Sequence, residues 1–181
     1  MAGIIIENIV TTAQIAKELD IEYLAEAIQD SKYDPEEFPG MILHFNDPKT
    51  IVFVFSSGEI ICTGVKNIDK IEDSMVKTID KIEKAGISVM DEPKVKIKNI
   101  VTSLDLKKEL NLLDIVTNPL LENVEYEPEK FPGLVYRIDG SDVTLLIFRS
   151  GKIVCTGAEK LEGASEAIEI IEEKLTSMGV I

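Results

Sequence analysis

Cys62 and Cys155 are the chain's two thiols and His44 is its one imidazole, so thiol chemistry and imidazole acid–base chemistry rest on these three residues alone. The cysteines occupy matching contexts, ICTG and VCTG, on runs that read as strands, and neither has a histidine or second cysteine nearby to complete a metal site. They read as buried free thiols rather than a disulfide. No nucleophile is matched to a base and no Gly-rich loop is placed to cradle phosphate, so neither catalysis, a metal nor a cofactor is expected. What recurs instead is a large aromatic directly before Pro-Gly, in EEFPGMILHF over 36–45 and EKFPGLVYRI over 129–138. Pro-Gly usually turns at the surface, so a ring placed there twice needs a partner to cover it.

The elements that must position these residues come from a chain of 181 residues with 45% apolar content, enough for a real core in one domain or two small ones. Its longest apolar runs, such as Ile51 to Phe55, are too short to span a bilayer. The start MAGIIIENIV has neither a basic flank nor a small-residue cleavage site, so no membrane association and a cytoplasmic location are expected. A formal net charge of -14 argues against a general electrostatic nucleic-acid binder, which would present a basic face. The acidity fits a solvated surface in a salty or hot cytoplasm.

Nearly the whole chain is written twice. NIVT at 8–11 returns at 99–102 and KEL at 17–19 returns at 108–110, a spacing of 91; FPG at 38–40 returns at 131–133, and SG and CTG follow, at a spacing of 93. A two-residue insertion between the KEL and FPG landmarks accounts for the shift, and the material around Asp91-Glu92-Pro93 joins the copies. The expected domains are therefore a first repeat over 1–91 and a second over 92–181, two like halves about a pseudo-twofold axis.

Each half has the same plan. Ile4 to Val10 is β-branched and fits a strand. Asp20 can cap a helix with Ile21, Leu24, Ala25 and Ile28 on one face; Asn111 matches that cap, and Pro119 should shorten or break the second copy. Three strands then form an antiparallel meander, Met41 to Asn46, Thr50 to Ser56 and Glu59 to Thr63, turned by Asp47-Pro48 and Ser57-Gly58. A closing helix carries Ile68, Ile71, Met75, Ile79 and Ile82 on its apolar stripe, echoed by Leu161, Ala164, Ile168, Ile171, Leu175 and Met178.

The meander is apolar on both faces. In IVFVF, Ile51, Phe53 and Phe55 oppose Val52 and Val54; in TLLIF, Leu146 and Phe148 oppose Leu145 and Ile147. An antiparallel sheet with helices on one side normally keeps its other side polar. The second apolar face is either packed inside a sandwich or dimer, or it is a binding surface.

The duplicated NIVT, FPG and SG-x-x-x-x-TG segments, in register over essentially the whole chain, resemble the core of the TATA-box-binding protein family in its archaeal, core-only form. The resemblance implies an α+β fold: an internally duplicated pseudo-twofold saddle, a curved ten-stranded antiparallel sheet with helices on the convex face and its underside in the DNA minor groove. FPG would be the stirrup loop at each end. Phe38 and Phe55 would wedge into one terminal base step and Phe131 and Phe148 into the other, with Pro39 and Pro132 stiffening the wedge.

The minor groove of A·T pairs presents acceptors alone, whereas G·C adds an amino donor. The N–H donors of Asn8 and Asn99, with Thr63 and Thr156 beside them, suit those acceptors. Val10, Val101, Ile61, Val154, Phe53 and Leu146 would form an apolar floor that leaves a guanine amino group unpaired. Arg137 and Lys152 match basic positions of the family and would contact phosphate, with Ser57 and Ser150 as donors. The first-half counterparts, His44 and Glu59, depart from that pattern, so a shallow salt slope is expected, with His44 a phosphate candidate.

The implied partners are double-stranded promoter DNA, transcription factor B through Glu127 and Glu129, and RNA polymerase indirectly; without DNA a homodimer is one state open to the chain, the sequence leaving its free oligomeric state undecided. The competing reading is a non-DNA interaction module using the apolar face as a partner or dimer interface. A sliding clamp would need basic helices lining the duplex, and none are matched here.

Overall fold

The computed structural model describes residues 3–181. The first half runs β1 (Ile5–Gln14), α1 (Ile21–Ala27), β2 (Ser31–Lys32), β3 (Met41–Asn46), β4 (Lys49–Val54), β5 (Glu59–Val65) and α2 (Ile71–Lys84). The second repeats it as β6 (Lys96–Asp105), α3 (Leu112–Val116), β7 (Val124–Glu125), β8 (Leu134–Arg137), β9 (Thr144–Ile147), β10 (Lys152–Ala158) and α4 (Leu161–Ser177). The fold is α+β. The strands form one ten-stranded sheet in the order β2-β3-β4-β5-β1-β6-β10-β9-β8-β7. By compactness the chain divides into a unit spanning Asn8–Lys98 and a second comprising Asn99–Ile181 with the chain start through Glu7.

In each unit one sheet face is closed by helix. Met41, Leu43, Val52, Val54, Ile60 and Cys62 are buried on the first, together with Ile71, Met75 and Ile82 of α2. In the second, Leu145, Ile147, Ile153 and Cys155 share a buried cluster with Ala164, Ile168, Ile171 and Leu175 of α4. Both cysteines are free and buried, as expected.

The caps work as read. The Asp20 carboxylate accepts the Tyr23 N–H at 3.0 Å, and the Asn111 side-chain oxygen accepts the Leu113 N–H at 3.2 Å. The second of these helices is the shorter, with five residues against seven, and ends before Pro119, which cannot supply the next backbone donor.

Ile68 departs from expectation. It is 40% exposed and lies in a 3-10 turn, Ile68–Lys70, ahead of α2. The Asn67 side chain accepts the Asp69 N–H at 2.9 Å and starts that tighter winding, which carries Ile68 out of the α-helical stripe. Within α2 two polar residues enter the core: Ser74 and Thr78 are fully buried, with hydroxyls donating to the carbonyls of Lys70 and Ser74 at 3.2 and 2.8 Å. Back-bonding of this kind satisfies the hydroxyl and lets small residues pack where an aliphatic stripe is expected.

The meander strands differ from the expected bounds by a residue or two at β4 and β5, and the two-residue strands β2 and β7 were too short to carry a period.

Candidate nucleic-acid interface

Antiparallel pairing places directly opposed residues on the same face. Across the first unit this gives the row Lys32–Ile42–Phe53–Ile61–Thr12, and across the second the matching row Glu125–Val135–Leu146–Val154–Ser103. A second pair of rows runs His44–Ile51–Thr63 and Arg137–Thr144–Thr156. Their strand neighbours Val52, Val54, Leu145 and Ile147 are buried, whereas Phe53, Ile61, Leu146 and Val154 are half-buried. Among the described residues this face stays part-exposed while its reverse is buried, so the second apolar face read from the meander is real.

Asn8 and Asn99 sit at β-bulges. Between Ile9 and Thr11 the pairing with β5 skips a residue, from Val65 to Cys62, and β10 does the same opposite Ile100 and Thr102. Each bulge contains a glycine at positive φ, Gly64 at 101° and Gly157 at 94°. A Cβ on Gly157 would stand 2.1 Å from the Asp142 carbonyl oxygen, so both backbone angle and space demand glycine there. The freed Gly64 N–H donates to Asn8 Oδ1 at 2.7 Å, and Gly157 N–H to Asn99 Oδ1 at 2.8 Å. That bond settles which way the amide points. Nδ2 donates to Thr63 Oγ1 at 2.9 Å in one unit and to Thr156 Oγ1 at 3.0 Å in the other, leaving each amide a second N–H. The TG of CTG is therefore the hinge that orients the asparagine.

At the FPG segments a single helical turn precedes the aromatic, with Phe38 N–H donating to Asp34 O at 2.8 Å and Phe131 N–H to Glu127 O at 2.9 Å. Phe38 lies edge-on to Phe55 at 5.7 Å, and Phe131 to Phe148 at 5.8 Å. Phe38 also meets Phe53 at 5.4 Å, so the first tip has three rings where the second, with Leu146 in place of Phe53, has two. All of these rings are half-buried, and Pro39 and Pro132 beside them are exposed. The glycine has a role that sequence reasoning missed. A Cβ on Gly133 would stand 2.7 Å from Phe131 Cε1 and 3.0 Å from Phe148 Cε1, and Gly40 makes the same approach to Phe38 and Phe55. Both rings fold over the glycine so closely that any side chain there would have to displace them.

The expected phosphate contacts are less open. Arg137 Nε lies 3.5 Å from Glu125, and Lys152 Nζ lies 3.4 Å from Glu7. Ser57 and Ser150 use their hydroxyl oxygens as acceptors for the N–H groups of Glu59 and Lys152, both at 3.4 Å. His44 is exposed at the position that pairing matches to Arg137. Lys32, missed because β2 shows no period, ends the first row where Glu125 ends the second, so the first unit does bring a cation to this face. Glu127 and Glu129 are exposed on the second tip, with Glu127 bridged to Lys130 at 2.5 Å.

A duplicated sheet with a part-exposed apolar face, bulge-locked amides and paired rings at the loop tips defines a class of two-repeat sheet proteins. The sequence model of the family described as transcription factor TFIID, or TATA-binding protein, matches residues 3–85 and 94–178. A TATA-box-binding protein from Thermoplasma volcanium is 47% identical over 98% of this chain and 97% of its own length; one from Archaeoglobus fulgidus is 45% identical over 97% and 96%. The solved structure titled Methanococcus jannaschii TBP superposes with a TM-score of 0.86 at 40% identity, covering 96% of this chain and 98% of that one. The chain belongs to the TATA-binding protein family.

Proposed function

We propose that the chain is a general transcription factor, not an enzyme, which binds the minor groove of A·T-rich promoter DNA and bends it. The observation that carries this reading is the pair of asparagines whose amide oxygens are tied to bulge N–H groups, so that N–H donors are presented on an apolar sheet face. A·T pairs offer acceptors in the minor groove and no donor, and an apolar floor penalises a buried guanine amino group. The residues of that floor are Val10, Val101, Ile61, Val154, Phe53 and Leu146, flanked by Thr63 and Thr156.

The rings at the two tips supply the wedges: Phe38 and Phe55 at one terminal step, Phe131 and Phe148 at the other, held by Pro39 and Pro132. Minor-groove proteins insert apolar wedges between base steps, and the kink allows more apolar surface to be covered. Kinking costs several kcal/mol in elastic estimates, and burial returns about 25 cal/mol per Å² of apolar surface. Phosphate contact falls to Arg137, Lys152, His44, Ser57 and Ser150.

The repeats 1–91 and 92–181 act as two halves of one reader in the cytoplasm. The exposed Glu127 and Glu129 face a basic partner, transcription factor B, through which RNA polymerase is recruited. Without DNA the same apolar face pairs with a second copy.

Fluorescence energy transfer across an end-labelled A·T-rich duplex, beside a G·C-substituted control, tests the reading. A bend confined to the A·T duplex supports it; equal binding of both duplexes without a bend rejects it.

A further inference from the structure

Ser103 and Thr12 are counterparts across the duplication, each at the inner end of its row, yet Thr12 is half-buried whereas Ser103 is only 4% exposed. The contacts of Ser103 account for the difference. Its hydroxyl donates to Glu7 Oε1 at 2.7 Å, and the same carboxylate oxygen lies 3.4 Å from Lys152 Nζ. Ser103 pairs directly with Val154, and Lys152 lies two residues before Val154 on the same strand, so both belong to the face that carries the proposed DNA floor. The residue that answers Glu7 in the second copy is Lys98, a reversal of charge.

We propose that Glu7 is an internal competitor of DNA phosphate for Lys152, a carboxylate that sets how strongly the second half grips the duplex. This inference rests on the minor-groove reading above. A carboxylate and a phosphate oxygen offer an ammonium group the same charge-assisted hydrogen bond, so Lys152 cannot give its full charge to one while paired with the other. The Lys152 side chain is half exposed and Glu7 about a third, so exchange is open to an incoming backbone. Glu7 thereby lowers affinity and flattens its salt dependence without altering base recognition.

Glu7→Gln is the chosen variant because its amide oxygen still accepts from Ser103 while its charge is gone. DNA affinity of the variant on the A·T-rich duplex should rise about two- to fivefold, the range an exposed ion pair is worth. The slope of log affinity against log salt should steepen by about 0.9, one further phosphate neutralised. In a Lys152→Gln background the same substitution should give no such gain. Thermal melting checks that the fold is retained, and Glu7→Ala serves as a second variant should the glutamine disturb it. Unchanged or weaker binding by folded variants overturns the competitor role and leaves the DNA reading standing, as does an equal gain without Lys152, which would indicate general repulsion. If the unaltered protein binds neither duplex, the minor-groove reading falls, and this inference with it.

Discussion

The side-chain oxygen of Asn99 accepts the backbone N–H of Gly157 at 2.8 Å, across a bulge that exists because Gly157 adopts a φ of 94°. One bond thus serves the sheet and orients the amide, and the two roles separate by substitution. Asn99→Asp keeps an acceptor for Gly157, and Thr156 can donate to its other oxygen, so stability should stay within about 1 kcal/mol of the parent. It loses both N–H donors and places a charge against groove acceptors, so A·T-duplex binding should fall about tenfold or more. Asn99→Ala loses the anchor as well and should melt lower. Thermal melts beside binding titrations read both; an Asp variant that binds like the parent removes Asn99 from the proposed reading set.

Gly133→Ala forces apart rings that now close over the glycine, since the new Cβ would sit 2.7 Å from Phe131. Overpacking of this kind costs about 1–3 kcal/mol, and the displaced ring should reduce the bend seen by energy transfer. Parental bending by this variant would show that ring placement at the second tip does not matter.

Phe148→Ala removes half of that pair. Its ring is half-buried, so the loss of bending should exceed the loss of fold stability. A normal bend would sink the wedge assignment for this residue.

His44 occupies the register position of Arg137 on an exposed strand site. His44→Arg should restore a permanent cation there, raising affinity and steepening the salt slope by about 0.9. A flat response in a salt titration would place His44 off the path of the phosphates.

Burial raises the Cys62 thiol to about 11, with the Thr11 and Ser74 hydroxyls acting the other way. The folded thiol therefore keeps its proton where the unfolded one, near 9, has lost it. Its contribution to stability is full below pH 9 and declines as pH rises toward 11. Alkaline melts should show that decline, reduced in Cys62→Ala, and alkylation at neutral pH should proceed only on unfolding; rapid labelling of the folded protein would contradict the burial.

Much of this arrangement was legible in the sequence because duplication prints each constraint twice. The alternation in IVFVF and TLLIF gave both sheet faces, and the caps at Asp20 and Asn111 started their helices where read. Local chemistry misled at Ile68, where a neighbouring asparagine winds a 3-10 turn, and period alone gave no sign of Ser74 and Thr78, whose hydroxyls bond back within the helix so that both are buried.

The residue pattern by itself determined the repeat, the order of the helices and of the longer strands, and the two apolar faces, because those depend on period and on short-range backbone preferences. Only the tertiary structure decided what lies across from each residue. Glu7 reaches Ser103 and Lys152 from far away in the chain, Gly133 sits under Phe131 and Phe148, and Gly157 holds the amide of Asn99. Register and bulges set those contacts, and a one-residue shift in pairing would exchange the faces and leave every local preference satisfied.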